Sequence, residues 1–298
     1  MIILNLQLQL FLLMSIGYIV SKAKIINKCT RKQLTDLVIL IVLPCNIINS
    51  FSSDISIDLL KKAALSFFLA CLAQVFYSIL NRYVYRDFEE SKKVIMKYST
   101  LCSNAGFIGL PIIGVLFGPT GLIYASIALI PQRIVMWSSG ISLFTQTSKK
   151  EMFFTLIKHP CIIAVMIGLL KAIFQLEFPT FLNNTIISIS DCTIAISMII
   201  IGTILSDVEI RSLFEKATFY FSFIRLLLIP FCILIVLKGL RIDPIVIGVT
   251  VMMSAMPAGS TTVMLAQKYE MNPIFASKIV FVSTILSILS ISLFLSFI

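Results

Sequence analysis

Residues 254–261 read SAMPAGST and lie in the middle of an apolar segment that runs from about residue 245 to residue 265. The segment is long enough to cross a membrane as a helix. A Pro, a Gly and three hydroxyl residues interrupt it at bilayer depth, where lipid offers no partner to freed N–H and C=O groups. We therefore expect a broken helix that is buried in protein or lines a water-filled cavity.

The same kind of interruption occurs earlier in the chain, where NAGFIGLP (residues 104–111) lies within an apolar segment of about residues 94–117. Two broken helices in corresponding positions of two halves point to the binding site of a secondary transporter. A Pro-kinked helix repaired by its neighbours is the alternative for either break alone. The matched pair favours a transporter.

Composition sets the class of protein. Of 298 residues, 58% are hydrophobic and 13% are charged, whereas soluble domains are typically about 25% charged. The net charge of +10 comes from Lys and Arg in short loops between apolar runs, so we expect no nucleic-acid partner. The seven Cys form no CxxC or Cys/His pattern, and we expect neither a metal nor another cofactor.

Ten apolar segments of spanning length predict an all-α polytopic membrane protein with ten transmembrane helices. The segments cover about residues 2–20, 34–51, 59–81, 94–117, 120–145, 155–176, 182–205, 216–238, 244–267 and 275–297. They divide into a first half of residues 1–150 and a second half of residues 151–298. Because each half has an odd number of spans, the halves must cross the bilayer in opposite senses. This predicts a 5+5 inverted repeat, with Pro111 and Pro257 at similar depths in the two halves.

Basic residues predict the orientation, because Lys and Arg accumulate in cytoplasmic loops. The loops after odd-numbered spans, with the adjacent span ends, hold 17: Lys22, Lys24, Lys28, Arg31, Lys32, Arg82, Arg86, Lys92, Lys93, Lys97, Lys149, Lys150, Lys158, Arg211, Lys216, Lys268 and Lys278. The opposite side holds five: Lys61, Lys62, Lys171, Lys238 and Arg241. We therefore predict a multi-pass protein of the cell membrane with both termini outside.

The chain resembles a known family at four stretches. These are SAMPAGSTTVMLAQKYEMNPIFASKIVFVSTILS (254–287), NAGFIGLP, FIRLLLIP (223–230) and residues 132–137. In combination they resemble the auxin efflux carrier family, which includes relatives of plant PIN carriers and bacterial malonate or malate permeases. The resemblance covers nearly the whole chain. It implies the fold shared by PIN carriers and bile acid sodium symporters, in which helices 4 and 9 are broken and cross at their breaks.

The resemblance also implies that the spans form two domains with different roles. Spans 3–5 and 8–10 would form a mobile transport domain, and spans 1, 2, 6 and 7 a scaffold through which the protein forms a homodimer. The chain departs from the plant carriers in span 3, where they have an acidic and a basic residue and this span offers Gln74 in its interior. It also lacks the long cytoplasmic loop of many plant members.

The breaks themselves favour a negatively charged ligand. Each break starts a half-helix whose exposed N–H groups carry partial positive charge, about +0.5 for a full helix dipole. Glycines allow close backbone approach, and neutral side chains supply hydrogen bonds. We predict a site for a small organic anion, such as a carboxylate, in the lipid bilayer. Its predicted residues are Asn104, Gly106, Pro111, Gln132, Arg133, Pro257, Gly259, Ser260 and Thr261.

Three ionisable residues lie inside spans, where burial of each costs about 3 kcal/mol unless it is paired or hydrated. Arg133, near the middle of span 5 beside Gln132, is the predicted anion contact. Asp191 in span 7 is the candidate for coupling to H+ or Na+, and Arg225 in span 8 is predicted to hold the transport domain together. The alternative is an ion pair between Asp191 and an Arg, or side chains that snorkel to the interface.

The sequence thus predicts a secondary active transporter that moves a small organic anion by an elevator-type mechanism. Within transport, the alternative is a sodium- or proton-coupled importer of another solute. An enzyme would require a motif such as GxSG with His, or HExxH, and the sequence contains neither. A receptor would normally carry an output domain, for which these loops are too short.

Overall fold

The computed structural model describes residues 2–49, 57–145, 160–207, 213, 215–240 and 242–298. Every regular element within these ranges is a helix, and the one β-type pairing among them is an isolated bridge. The prediction of an all-helical protein is confirmed. The predicted boundary near residue 150 lies outside the described residues. So do five of the basic residues used for the orientation: Lys149, Lys150, Lys158, Arg211 and Arg241.

The first half of the chain forms helices that are repeatedly interrupted. They are α1 (Ile2–Lys22), α2 (Lys28–Leu37), α3 (Leu43–Asn49), α4 (Ile57–Leu80), α5 (Glu90–Leu101) and α6 (Leu110–Val135). One turn of π-helix joins α2 to α3 (Val38–Val42), another precedes α6 (Ala105–Gly109), and a third follows it (Met136–Gly140). Inside α6 the chain turns at Gly118, whose φ of 63° suits glycine. This turn lies between the predicted spans of residues 94–117 and 120–145.

The second half contains seven further helices. They are α7 (Pro160–Phe174), α8 (Thr180–Leu205), α9 (Lys216–Phe223), α10 (Ile229–Lys238), α11 (Pro244–Ser254), α12 (Thr261–Lys268) and α13 (Pro273–Leu295). A π-helical turn, Ile224–Leu228, joins α9 to α10. The chain between α11 and α12 is not helical, which confirms the break predicted from SAMPAGST.

Six stretches of the described chain are long and apolar enough to cross a membrane. They are Lys28–Asn49, Lys61–Leu80, Thr120–Leu143, Thr180–Leu205, Lys216–Lys238 and Pro273–Leu295. Helices α11 and α12, of 11 and 8 residues, fall short because the break divides their segment. Helix α5 likewise ends after 12 residues. The chain is therefore a multi-pass membrane protein in which two segments are split at depth.

Local sequence explains where α11 and α13 begin. The Asp243 carboxylate accepts the N–H of Ile245 at 2.9 Å, and Pro244 occupies the first helical position. Asn272 caps α13 in the same way, accepting the N–H of Phe275 at 3.1 Å. Lys62 on α4 also contacts Asp243 at 2.6 Å and lowers the pKa of that carboxyl. Capping and ion pairing together hold the start of α11 against α4.

The helices pack as two groups. The first group consists of α1, α2, α3, α7 and α8: α1 packs on α8, and α3 packs on α7 and α8. Gly17 and Gly202 lie where a Cβ would clash with the backbone of the opposite helix, so α1 and α8 approach closely. The second group consists of α4–α6 and α9–α13, in which α6 packs on α4 and α11, and α13 packs on α9 and α12.

Ion pairs tie the helix ends together, some within a group and some between groups. Arg31 and Asp207 pair within the first group at 3.0 Å, and Lys92 and Glu215 pair within the second at 3.2 Å. Two further pairs connect the groups: Lys32 with Glu270 at 3.1 Å and Lys268 with Asp36 at 3.3 Å. All eight residues belong to loops after odd-numbered spans or to the span ends beside them.

Candidate substrate site

The two helix breaks lie against each other. The N–H of Asn104 donates to the carbonyl of Pro257 at 2.7 Å, and the N–H of Gly259 donates to the carbonyl of Cys102 at 3.0 Å. These two bonds form the isolated bridge between Ser103 and Ala258. Each break therefore provides hydrogen-bond partners for backbone N–H and C=O groups that have no helical partner at the other break. Backbone polar groups inside a membrane need such partners.

Gly259 is the residue that permits this approach. A Cβ at this position would lie 2.8 Å from the carbonyl oxygen of Cys102 and 3.3 Å from that of Ser103. Both obstacles are backbone atoms, which cannot rotate away as a side chain would. The close crossing therefore requires glycine at position 259.

Side chains from neighbouring helices hold the crossing in place. The hydroxyl of Ser103 donates to Gln132 Oε1 at 3.0 Å, while Gln132 Nε2 donates to the carbonyl of Ser103 at 2.9 Å. On the other side, the Tyr98 hydroxyl donates to Thr261 Oγ1 at 3.3 Å, which ties α5 to α12. The side chain of Gln132 is thus engaged at both its amide oxygen and its nitrogen, and it positions the first break.

A cavity of about 50 Å³ lies beside the crossing, at the boundary between the two helix groups. One water molecule takes up about 30 Å³ of liquid, so the cavity in this conformation is small. The first group supplies Leu43, Asn46 and Ile47. The second group supplies Ser103, Asn104, Gly106, Leu129, Gln132, Arg133, Met136, Trp137, Gly259, Ser260 and Thr261.

Arg133 brings a full positive charge to this cavity. Its side chain is buried, and Nη1 donates to the carbonyl of Ile47 at 3.2 Å. Ile47 lies in the last turn of α3, where carbonyls have no partner within the helix. The other end of the guanidinium faces Gly106, where a Cβ would lie 3.8 Å from Nη2. Among the described residues that line the cavity, Arg133 is the one charged group.

The start of α12 adds partial positive charge. Thr262 and Val263 donate their N–H groups to the carbonyls of Gly259 and Ser260, at 3.0 Å each. The N–H groups of Ser260 and Thr261 donate to no backbone carbonyl in the described chain, and both residues line the cavity. Such free N–H groups at a helix start attract anions. The site is therefore suited to a negatively charged ligand.

Most of the predicted site residues come together. Seven line the cavity: Asn104, Gly106, Gln132, Arg133, Gly259, Ser260 and Thr261. Pro257 contributes its carbonyl to the crossing rather than to the cavity wall. The backbone of Pro111 belongs to the first turn of α6, and its side chain lies outside the part of the molecule that the structure describes.

Asp191 and Arg225 lie elsewhere. Asp191 is on the exposed face of α8 and forms no ion pair with a described residue. The Arg225 side chain is fully buried between α4 and the α9–α10 segment, with its guanidinium 5.2 Å from the ring centre of Tyr77. Within the described chain its Nε and Nη1 have no hydrogen-bond partner, and the ring of Tyr77 provides a cation–π contact.

Sequence reasoning missed the contribution of span 2. Asn46 and Ile47 form the wall opposite the breaks, and Asn46 Nδ2 also donates to Ser190 Oγ at 3.1 Å. Asn46 was detectable, because it is a polar residue two positions after Pro44 in an apolar segment. Ile47 was not, since it acts through its backbone carbonyl.

Both halves of the chain match a known protein family. Residues 2–154 and 151–295 match the family described as "Membrane transport protein". The chain belongs to this family. The resemblance to the auxin efflux carriers is thereby confirmed, and the protein is a membrane transporter.

Two archaeal relatives extend over nearly the whole chain. An uncharacterized transporter of Methanocaldococcus jannaschii is 22% identical over 306 aligned residues, which cover 98% of both proteins. An uncharacterized transporter of Methanothermobacter thermautotrophicus is 25% identical over 297 residues, which cover 96% of this chain and 95% of the relative.

Proposed function

We propose that the protein is a secondary active transporter of a small organic anion, a carboxylate, and that the anion binds in the cavity at the crossed breaks. The observation that carries this proposal is the buried Arg133 guanidinium beside the free N–H groups at the start of α12. Arg133 is the one charged residue among the described residues that line the cavity. A guanidinium at such a position can bind a substrate carboxylate.

The proposed architecture is a 5+5 inverted repeat of ten transmembrane helices. Its support is that helices occur within each of the ten predicted apolar segments. The two stretches that match the family also meet at residues 151–154, next to the proposed boundary. Inverted repeats with broken helices place the substrate near the bilayer midplane. The orientation with both termini outside the cell membrane rests on the distribution of Lys and Arg.

The proposed mechanism is an elevator-type movement of the second helix group against the first. The second group carries both breaks and Arg133, whereas the first supplies the opposite cavity wall. A cavity at such a boundary changes its exposure when one group slides past the other. The movement would carry the anion from one side of the membrane to the other.

The first group is the proposed scaffold of a homodimer. Asn184, Ser188 and Asp191 form an exposed polar stripe along α8, and polar side chains that face lipid at mid-bilayer are unfavourable. A second copy of the chain would cover this stripe. Asp191 also remains our candidate for coupling to H+ or Na+, because it lies near the middle of its helix.

A binding experiment tests the proposed function. A ligand that binds only the folded state raises its melting temperature, by an amount that increases with the ratio of ligand concentration to Kd. We expect small carboxylates to stabilise the purified protein and their uncharged amides to have no effect; acetate with acetamide and lactate with lactamide are matched pairs. At the same ligand concentration Arg133→Gln should strongly reduce the shift, while Arg86→Gln, at an exposed loop residue, should retain it. Equal stabilisation by acids and amides would contradict an anion site.

A further inference from the structure

We propose that the transported carboxylate also carries a hydroxyl group, so that the substrate is a short hydroxy acid. This inference rests on the proposed function, because it concerns a second polar group of the substrate in the same cavity. It follows from two side chains of the cavity wall, Asn104 and Ser260, that lie at helix starts without capping them.

Asn104 and Ser260 hold corresponding places at the two breaks. Asn104 precedes the π-helical turn Ala105–Gly109, and Ser260 precedes α12. Asn and Ser are favoured at this N-cap position because their side-chain oxygens accept N–H groups of the first turn. Neither side chain makes such a bond here. Within the described chain, neither makes any other side-chain hydrogen bond.

Both side chains are buried at the cavity. Asn104 is 3% exposed and Ser260 is 2% exposed, and both line the cavity beside the crossing. Buried amide and hydroxyl groups in proteins nearly always have hydrogen-bond partners, because an unpaired one destabilises the state in which it is buried. A substrate that fills this small cavity displaces the water that would otherwise bind them. The substrate must therefore supply hydrogen bonds itself.

The amide of Asn104 determines which kind of group is needed. Its NH2 group donates hydrogen bonds, whereas its Oδ1 accepts them. An ionised carboxylate only accepts, so it can pair with the NH2 group and with the Ser260 hydroxyl but not with Oδ1. A hydroxyl group of the substrate can donate to Oδ1. Because the cavity is about 50 Å³ in volume, this hydroxyl must lie close to the carboxylate, as it does in lactate.

Binding to the purified protein tests the inference with three acids of equal chain length. Lactate, propionate and pyruvate differ only at the carbon next to the carboxylate, which bears a hydroxyl, no polar group or a ketone. Calorimetric titration at neutral pH gives each Kd. We expect the Kd of lactate to be at least about fivefold lower than that of propionate, because propionate leaves the buried amide oxygen unpaired. Pyruvate should also bind more weakly than lactate, since its ketone cannot donate a hydrogen bond.

Two asparagines at equivalent helix positions provide a matched pair of variants. Asn104→Ala removes an amide that caps nothing, so it should leave the melting temperature unchanged and bring the Kd values of lactate and propionate close to equality. Asn272→Ala removes an amide that caps α13 by accepting the N–H of Phe275 and that does not line the cavity. This control should lower the melting temperature and keep the preference for lactate.

The outcomes distinguish the inference from the function on which it rests. Equal Kd values of lactate and propionate for the wild-type protein would overturn the hydroxy-acid inference while leaving a carboxylate transporter in place. Pyruvate binding as tight as that of lactate would overturn it as well, because no donor would then be required. Absence of binding by all three acids would overturn the proposed function, and the inference with it. The wild-type comparison decides the question even where Asn104→Ala fails to fold.

Discussion

At the scale of the residue, we propose that anion recognition depends on the Arg133 side chain. A charged hydrogen-bonded contact contributes about 1.5 to 3 kcal/mol, so Arg133→Gln should weaken carboxylate binding roughly 10- to 150-fold. Arg133→Lys should recover part of the affinity, because an ammonium keeps the charge but lacks the planar fork. Titration of the purified variants with lactate measures both effects. Wild-type affinity in folded Arg133→Gln would exclude this role.

A double substitution tests the alternative that Arg133 only balances Asp191. The structure shows no ion pair between them, since Arg133 donates to Ile47 and Asp191 is exposed on α8. Arg133→Gln combined with Asp191→Asn should therefore bind lactate as weakly as Arg133→Gln alone. Recovery of binding in the double variant would show that the two charges act as a pair.

Two glycines at the site should respond differently to the same added methyl group. Gly259→Ala should separate the breaks, because its Cβ would lie 2.8 Å from a backbone oxygen of Cys102. We expect loss of transport and a lower melting temperature. Gly106→Ala makes only an ordinary contact, at 3.8 Å from Arg133, and should keep the fold while weakening binding. The two predictions are checked by melting and uptake, and a fully active Gly259→Ala would be inconsistent with the observed crossing.

Residue identity predicted much of the cavity wall. Polar residues and glycines in otherwise apolar segments, such as Asn104 and Gly259, were recognisable because polar side chains and broken backbone hydrogen bonds are unfavourable in contact with lipid. The Ile47 carbonyl was not predictable, since any residue would supply it. The position of Arg225 against the ring of Tyr77 depends on the packing of two distant segments, which the sequence alone does not reveal.

At the scale of the element, Pro and Gly predicted which helices are broken but not the location of the first break. The first segment leaves its helix at Leu101, and a π-helical turn starts at Ala105, before Pro111 is reached. Pro111 lies in the first turn of α6, where the missing N–H costs little. That the breaks pair through backbone hydrogen bonds became evident only from the structure.

Cross-linking tests whether the two helix groups move relative to each other. In a background without native cysteines, Cys residues replace Lys32 and Glu270, which face each other across the group boundary at 3.1 Å. A short bis-maleimide that joins them should block uptake. The control replaces Lys92 and Glu215, a pair within the second group, and its cross-link should leave uptake intact. Persistent uptake by fully cross-linked 32–270 protein would argue against an elevator.

At the scale of the whole molecule, composition was sufficient to predict a multi-pass helical membrane protein. A chain with 13% charged residues cannot cover a water-exposed surface of this size. Composition alone could not predict the division into two packed helix groups. The division depends on contacts between helices far apart in sequence, such as α1 with α8. The family resemblance implies a scaffold and a mobile transport domain, and this assignment of the spans stays a prediction.

The distribution of basic residues makes a prediction for the orientation of the whole chain. A single Cys in place of Lys92 should react with an impermeant maleimide only after the cells are opened, because this loop is predicted to be cytoplasmic. A single Cys in place of Lys238, on the opposite side, should react in intact cells. The reverse labelling pattern would invert the proposed topology.

The proposed function requires that an anion be transported through the Arg133 site. The decisive measurement is the initial rate of labelled lactate uptake into proteoliposomes that contain wild-type protein, Arg133→Gln or the control Arg86→Gln. We predict uptake above protein-free liposomes for the wild type and for Arg86→Gln, and loss of at least about nine-tenths of that rate for Arg133→Gln at sub-saturating lactate. Equal rates for wild type and folded Arg133→Gln would show that Arg133 does not bind the transported anion.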